Sequence, residues 1–544
     1  MYRLQRKKQN FIQGAVILMI ASLVVKVIGA FFQIPLQNMI GGESSPAFGL
    51  FSAAYRIYTA MLVISTVGLP AALSKMVAEA TACGREREVR RIVRVAAGIF
   101  VPVGVLATVV LFFGADTFAG WIKNPDARLA VMAIAPSVAM VAILSVFRGY
   151  YQGRANMVPT AVSQVIEAMG KLFAGLGLAY YAKQLGLDDP MVAALTVLGV
   201  TLGEVVAAGY MLVQAGITRR RSEPVHLLSD AVRPTRELVK TLLSLSIPIT
   251  ISSAVMSLTD LIDVALISAR LQSPAVGMTA EAATTAYGIY TGNAVNFFNL
   301  PQTLITALAV SVLPTIASAR AAQNFTKVSK TMATAMRLTM IITLPAGAGF
   351  LLLSGPILRM FYSEGTMLGG QLMAILGFAV PAVALVAITN AVLQAFGRID
   401  LPLISMFLGA LVKIFGDYVL IGMPELNIAG APISTAVCYW LIALINLFHI
   451  GRLSHALPPL GKTAGRPLAA TVGMGAATYL CHTVLLRVLD AAPGTVMDKL
   501  VTLVSIAVAV VVYVVLLLLL HAVEREDVLL LPKGEKIANI LHLK

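Results

Sequence analysis

The chain has 544 residues, 58% hydrophobic and only 12% charged, with a net charge of +15 and a strongly positive mean hydropathy. This composition leaves little room for a soluble domain, excludes a soluble enzyme and describes an integral membrane protein. The basic surplus sits in short clusters between apolar runs, as the positive-inside rule produces, so no nucleic-acid partner is expected.

Apolar spans are predicted near 11–34, 48–80, 95–113, 128–148, 159–181, 191–216, 241–268, 284–317, 337–355, 368–396, 401–422, 430–451, 467–489 and 499–521, fourteen in all. The basic arm Met1-Tyr-Arg-Leu-Gln-Arg-Lys-Lys8 leads into a first run too long for a signal-peptide core and without a small-residue cleavage site. A retained first helix is expected. It carries Lys26 near its middle, where a lysine costs about 2.5–3.5 kcal/mol on insertion scales. Snorkelling is the plain structural reading. The charge lies roughly 12 residues, or ~18 Å, from either end of the run, which favours a cavity-facing role. Arg56, in the second span, faces either the cavity or the outer interface.

Loop charges alternate along the chain. The N-terminal arm, Arg85-Glu-Arg-Glu-Val-Arg-Arg91, Arg148 and Arg154, the basic connection 217–240, Arg320 to Arg337, Arg398, Arg452 to Arg466 and the tail fall on one side. The loops 35–47 and 423–429 have neither Lys nor Arg. Both termini are therefore expected in the cytoplasm.

The connection 217–240 divides the chain into two six-helix blocks that resemble each other. Ala135-Pro-Ser-Val-Ala-Met-Val-Ala-Ile143 recurs as Val380-Pro-Ala-Val-Ala-Leu-Val-Ala-Ile388, and Arg94 with Arg337, Pro102 with Pro345, Leu69-Pro70 with Leu313-Pro314 and Lys171 with Lys413 keep nearly the same offset. An even helix number gives parallel repeats, a transporter architecture with the substrate between lobes. The expected domains are 1–216, the connection 217–240, 241–451, an added helix pair within 452–521, and a tail 522–544. The prolines supply expected helix breaks for rocking of the lobes. Gly149-x-x-x-Gly153 and Gly199-x-x-x-Gly203 read as close helix contacts.

Glu167 with Lys171, and Lys413 with Asp417, are spaced as intrahelical ion pairs in the fifth helix of each repeat. The first reads as a structural pair. Lys26 and Arg56 have no acidic neighbour in their own helices, and cations of one sign in a cavity concentrate an anionic ligand. Acidic residues within spans include Glu204, Asp260 and Asp263. Asn293 and Asn296, in a run of three asparagines before Pro301, offer amides for carbohydrate or carbonyl groups, or a kink held by its own hydrogen bonds. Asp260, Asp263, Asp417 and Thr435 have the oxygens a hard cation needs, with the Lys413 ammonium able to take a sodium ion's place.

Enzyme signatures are absent from the pattern. Gly461-Lys462-Thr463 resembles the end of a phosphate-binding loop, but Ala456 stands where that motif wants glycine. No HExxH occurs, and Cys83, Cys438 and Cys481 are single, so neither a metal site nor a cofactor is expected.

Lys26-Val-Ile-Gly29 with Ile34-Pro-Leu36, Gly68-Leu-Pro-Ala-Ala-Leu-Ser-Lys75, Leu313-Pro314, Leu344-Pro-Ala-Gly347, Leu352-Leu-Ser-Gly-Pro356 and Gly397-Arg398 with Pro402 carry a family resemblance. The chain resembles the multidrug/oligosaccharidyl-lipid/polysaccharide (MOP) exporter superfamily, in the branch of stage V sporulation protein B and the MurJ-like lipid II flippases. The resemblance implies an all-α membrane protein with two V-shaped lobes that flips polyprenyl-pyrophosphate-linked sugars across the bacterial cytoplasmic membrane. Lys26 stands where the peptidoglycan flippases have a cavity arginine. The Arg-Asp pair that follows there reads Phe32-Gln33 here, and Asn293 lies nearest their helix-8 arginine.

The leading expectation is a flippase for a lipid II-like cell-wall precursor, working by alternating access as a monomer among membrane lipids. The alternatives are a cation-coupled multidrug exporter of the MATE type and a flippase for another lipid-linked polysaccharide. Lys26 weighs against export of cations, which needs an acidic group in the first lobe. A membrane glycosyltransferase lacks a loop large enough for a catalytic domain.

Overall fold

The computed structural model describes residues 11–41, 45–66, 68–221, 233–454 and 461–524. The basic arm, residues 222–232 of the 217–240 connection and the tail beyond Glu524 lie outside them. Among the described residues the chain is all helical. Within the described residues nine helices are long and apolar enough to cross a bilayer, ten if Thr366–Gly377 and Ala379–Ala395, bent by 46°, form one span.

Two compact units divide the chain. The first, Met1–Gln272 with Met278–Gly288, holds α1 (Phe11–Ile40), α2 (Ala47–Thr66), α3 (Gly68–Ala82), α4 (Glu86–Phe113), α5 (Ala115–Trp121), α6 (Arg128–Gly153), α7 (Val158–Gly170), α8 (Leu176–Gln184), α9 (Asp189–Arg221), α10 (Thr235–Leu271) and most of α11 (Ala280–Ile289). The second holds α12 (Asn296–Ala321), α13 (Phe325–Phe361), α14 (Thr366–Gly377), α15 (Ala379–Ala395), α16 (Asp400–Leu420), α17 (Gly430–Ser454), α18 (Arg466–Val488) and α19 (Val496–Leu519). The first unit includes α10 because this helix lies on α2, α3 and α4. Leu238 and Leu242 of α10 join Leu73, Met76, Val89 and Ile92 in one buried cluster.

The same packing pattern occurs in each unit. In the first, α6 packs on α3, α4 and α9, and α7 on α9; in the second, α15 packs on α12, α13 and α17, and α16 on α17. That correspondence follows the internal repeat of the sequence. The added helices α18 and α19 pack on each other and on α13. Their anchor is an ion pair at 2.8 Å between Arg359 and the buried Asp498, which also accepts the Gly494 N–H.

Large apolar side chains such as Phe113, Phe173 and Phe415 point outward, whereas small residues line the helix contacts. Hydrocarbon solvates leucine as well as another helix does, so association depends on close packing. Both glycine spacings read from the sequence serve such contacts. Gly149 and Gly153 lie against α3, Gly199 meets Gly175, and Gly203 meets Gly170. A Cβ on Gly170 would stand 2.4 Å from the Gly203 Cα. Gly170→Val is expected to cost about 1–3 kcal/mol through overpacking, read as a lower melting temperature in detergent.

The prolines act differently from the expected breaks. The single span predicted over 48–80 is two helices, α2 and α3, with Pro70 in the first turn of α3. Pro314 lies inside an unbroken α12. Pro345 is likewise accommodated in α13, whose one non-helical residue is Leu353 (φ −117°, ψ 16°), just ahead of Pro356. There the proline ring displaces the preceding turn and its missing N–H frees a carbonyl.

Candidate functional site

In the first unit, α1 is a continuous helix of 30 residues with Lys26 near its centre. Phe32 and Leu36 turn inward and are fully buried, while Lys26 lies on a different face and is exposed. Gly29, one turn on, has open space where a Cβ would stand. Among the described residues Lys26 forms no ion pair or hydrogen bond. Arg56 is half-buried on α2.

Next to Arg56 runs an aromatic ladder. Phe48, Phe51, Tyr55 and Tyr58 recur at helical spacing along α2, with successive rings 5.7, 5.7 and 5.4 Å apart. The Lys171 ammonium closes it: Nζ donates to the Tyr55 hydroxyl at 3.0 Å and lies 4.1 Å from the Tyr55 ring and 4.8 Å from that of Phe32. The negative faces of the rings attract a cation in this position.

The expected Glu167–Lys171 ion pair is therefore not formed. A π turn, Lys171–Gly175, begins at the lysine, and the wider turn takes its side chain toward α1 and α2. Glu167 instead accepts from Arg148 Nη2 at 2.8 Å. Arg148, grouped with the cytoplasmic charges by sequence, is buried within α6, and its Nε also donates to Ser163 at 3.0 Å. On α9 the fully buried Glu204 accepts a hydrogen bond from the Tyr58 hydroxyl. The sequence reading missed this pair, although the aromatic spacing on α2 is visible in the chain.

In the second unit the other intrahelical pair does form. Lys413 Nζ donates to Asp417 Oδ2 at 2.8 Å, both groups buried, and the Ser434 hydroxyl donates to Oδ1. Thr435 bonds back to the Ala431 carbonyl at 2.8 Å. Asn293 is fully buried at a π turn, Tyr290–Val295, and donates to the Gly365 carbonyl at 3.2 Å. Asn296 donates to the Tyr362 hydroxyl at 3.4 Å, and that hydroxyl donates to the Gly292 carbonyl at 2.9 Å. Both amides thus hold a helix irregularity to the turn ahead of α14. Asp263 is half-buried on α10, apart in sequence and in unit from Lys413 and Asp417; the Asp260 side chain lies outside the described residues.

The profile of the family described as polysaccharide biosynthesis protein matches residues 11–320, more than half of the chain, and the MatE profile matches residues 248–419. Stage V sporulation protein B of Bacillus subtilis (strain 168) is 28% identical over 461 residues, 83% of this chain and 85% of the relative. Lipid II flippase MurJ of the same organism is 24% identical over 523 residues, 92% of this chain and 93% of the relative. A solved lipid II flippase MurJ, in an inward closed conformation, shares the fold with a TM-score of 0.69 at 15% identity, covering 92% of this chain and 98% of its own. These relatives are members of the MOP superfamily, as the sequence resemblance implies.

Proposed function

Because this chain belongs to the polysaccharide biosynthesis protein family, within the MOP superfamily, we propose that it is a flippase. Its substrate is a polyprenyl-pyrophosphate-linked cell-wall glycan precursor of the lipid II kind, moved across the bacterial cytoplasmic membrane by alternating access of two lobes. The observation that carries this reading is Lys26, exposed at the centre of a membrane helix with no carboxylate partner among the described residues. A charge kept there at such expense marks a substrate path. Its sign calls for an anion.

A pyrophosphate meets that requirement. Lys26 and Arg56 bind its oxygens through charge-assisted hydrogen bonds, which are roughly twice as strong as neutral ones. Lys171, held by an aromatic hydroxyl and two rings, adds to the positive field of the same unit. The glycan is carried on the polar side and the polyprenyl chain stays in lipid. Direction comes from consumption of the product or from an ion gradient. Both termini are cytoplasmic in this reading.

The MatE match over 248–419 favours a second reading, a cation-coupled drug exporter. Proteoliposomes with fluorescent lipid-linked sugars separate the two. Movement of pyrophosphate-linked sugars, reduced at least about tenfold in Lys26→Ala, is the expected result. Transport of cationic dyes with the lipid-linked sugars left in place would select the exporter. A lipid-linked polysaccharide unit moved in preference to the lipid II headgroup would keep the flippase and change its glycan.

A further inference from the structure

The helix pair α18 and α19 covers a face of α13 whose counterpart in the first unit is α4. Arg94 and Pro102 of α4 match Arg337 and Pro345 of α13 at one offset, and burial keeps the same register: Val89, Ile92 and Ala96 are buried, as are Met332, Ala335 and Thr339. The two outer faces differ. On α13, Arg337 pairs at 2.8 Å with Glu524 just beyond α19, Ile341 and Ala348 pack into the cluster of α18 and α19, and Leu352 lies against Gly475. The matching residues of α4 are Arg94, Gly98, Val105 and Val109, and all four are exposed.

Among the described residues neither Arg90 nor Arg94 forms an ion pair or hydrogen bond. The acids at this end of α4 are already taken, Glu86 by Arg154 and Glu88 by Arg85 and Arg233. A positive-inside bias explains arginines in a loop. It does not explain why Arg87, Arg90 and Arg94 share one exposed helix face that runs on into Val105 and Val109. Gly98, one turn beyond Arg94, leaves open space where a Cβ would stand, so a hydrocarbon chain can lie against the backbone there. The depth fits as well. From Arg94 to Phe113, the last residue of α4, the helix rises ~29 Å at 1.5 Å per residue, against a hydrocarbon core of about 30 Å. Arg94 therefore stands at headgroup level.

We propose that this face of α4 binds one anionic phospholipid, with Arg90 and Arg94 on its phosphate and an acyl chain along Gly98, Val105 and Val109. Two guanidinium groups one turn apart reach the same phosphate, and their charge-assisted hydrogen bonds are the strong kind. The phosphate takes the place that the Glu524 carboxylate has in the second unit, and the chain takes the place of α18 and α19. A phospholipid carries its charge and its hydrocarbon in the order in which the face presents arginine and valine. The inference rests on the spanning helices and their internal repeat, and is independent of the flippase reading.

Photolabelling of the full chain in phosphatidylcholine liposomes tests it, with phosphatidylglycerol and phosphatidylcholine probes that carry the same photoactivatable acyl chain, and the labelled peptides mapped by mass spectrometry. Phosphatidylglycerol should label residues 98–109 at least about fivefold more than phosphatidylcholine, since an arginine near the surface contributes about 1 kcal/mol toward an anionic lipid. The double variant Arg90→Gln with Arg94→Gln should lose that preference, and Arg90→Lys with Arg94→Lys should keep part of it. Both arginines are exposed, so the glutamine variant is expected to fold; phosphatidylglycerol should raise the melting temperature of the unmodified chain and leave that of the variant where it was. Excess inorganic phosphate should not compete, because the lipid is held by its chain as well. Equal labelling by the two probes, a preference that survives in the glutamine variant, or displacement by inorganic phosphate overturns the proposal. So does an unlabelled α4 whose Val105→Cys variant forms a disulfide-linked dimer, since a second copy of the chain then covers the face.

Discussion

Lys26→Ala and Arg56→Ala are each expected to abolish complementation of a flippase-deficient strain while reaching the membrane at undiminished levels. For Lys26 the two halves of this result have the same physical origin. An ammonium at the middle of a spanning helix opposes insertion by about 2.5–3.5 kcal/mol, so removing it helps the folded protein enter the bilayer. Among the described residues no carboxylate depends on it, and the alanine variant leaves no buried charge behind. Function suffers instead. A hydrogen bond to a charged group contributes about 1.5–3 kcal/mol, so affinity for a polyprenyl pyrophosphate should fall roughly ten- to hundredfold. Lys26→Arg keeps the charge with a different geometry and should retain part of the activity. At position 56, an arginine that only anchors the interface would tolerate lysine, whereas one that grips two phosphate oxygens would not. Normal transport by both alanine variants would remove the anionic-ligand argument. The assay pairs complementation with membrane fractionation, because lost expression would mimic lost binding.

Much of the helical architecture was legible because its cause is local. Apolar runs long enough for a bilayer, broken by basic loops, can be read one segment at a time, and the Ala135–Ile143 and Val380–Ile388 echo reveals the repeat directly. The glycine spacings were legible for the same reason, since only glycine permits the Gly170–Gly203 approach. What escaped is non-local or turns on a change of helical period. Glu167 and Lys171 have ion-pair spacing, yet a π turn starts at Lys171 and Arg148 arrives from another helix, nineteen positions earlier in the chain. Arg337 misled similarly: it reads as a loop charge but is buried and pairs with Glu524 at 2.8 Å. The Tyr58–Glu204 bond joins residues 146 apart, and nothing in either local stretch specifies the partner. The unit boundary is also a packing outcome. A basic connection marks where the repeats divide, while the apolar face of α10 decides which helices it lies against.

Replacing Lys413 should produce a large loss of stability and expose a latent cation preference. Lys413 and Asp417 form a buried pair within α16, and Asp417 has no exposed surface. Taking away one partner leaves the other charged in a medium that solvates it poorly. Such disruption typically costs about 3–5 kcal/mol, whereas replacing both partners with apolar residues of similar volume is often neutral. Lys413→Ala should therefore melt well below the unmodified protein, and the double variant Lys413→Met with Asp417→Leu should recover most of the loss. The vacated space keeps oxygen donors in place: both Asp417 oxygens and the Ser434 hydroxyl, with Thr435 on the next position of α17. Hard oxygens around a missing monovalent cation suit sodium. Sodium chloride, compared with choline chloride at equal ionic strength, is expected to raise the melting temperature of Lys413→Ala and to leave that of the unmodified protein unchanged, because there the ammonium already holds the position. Transport by the unmodified protein should be equally indifferent to the exchange of sodium for choline. Strict sodium dependence of the unmodified chain would refute this account. If the double variant regains stability and its transport is unchanged, the pair is a packing device; if it regains stability and loses transport, Lys413 and Asp417 take part in the transport cycle themselves.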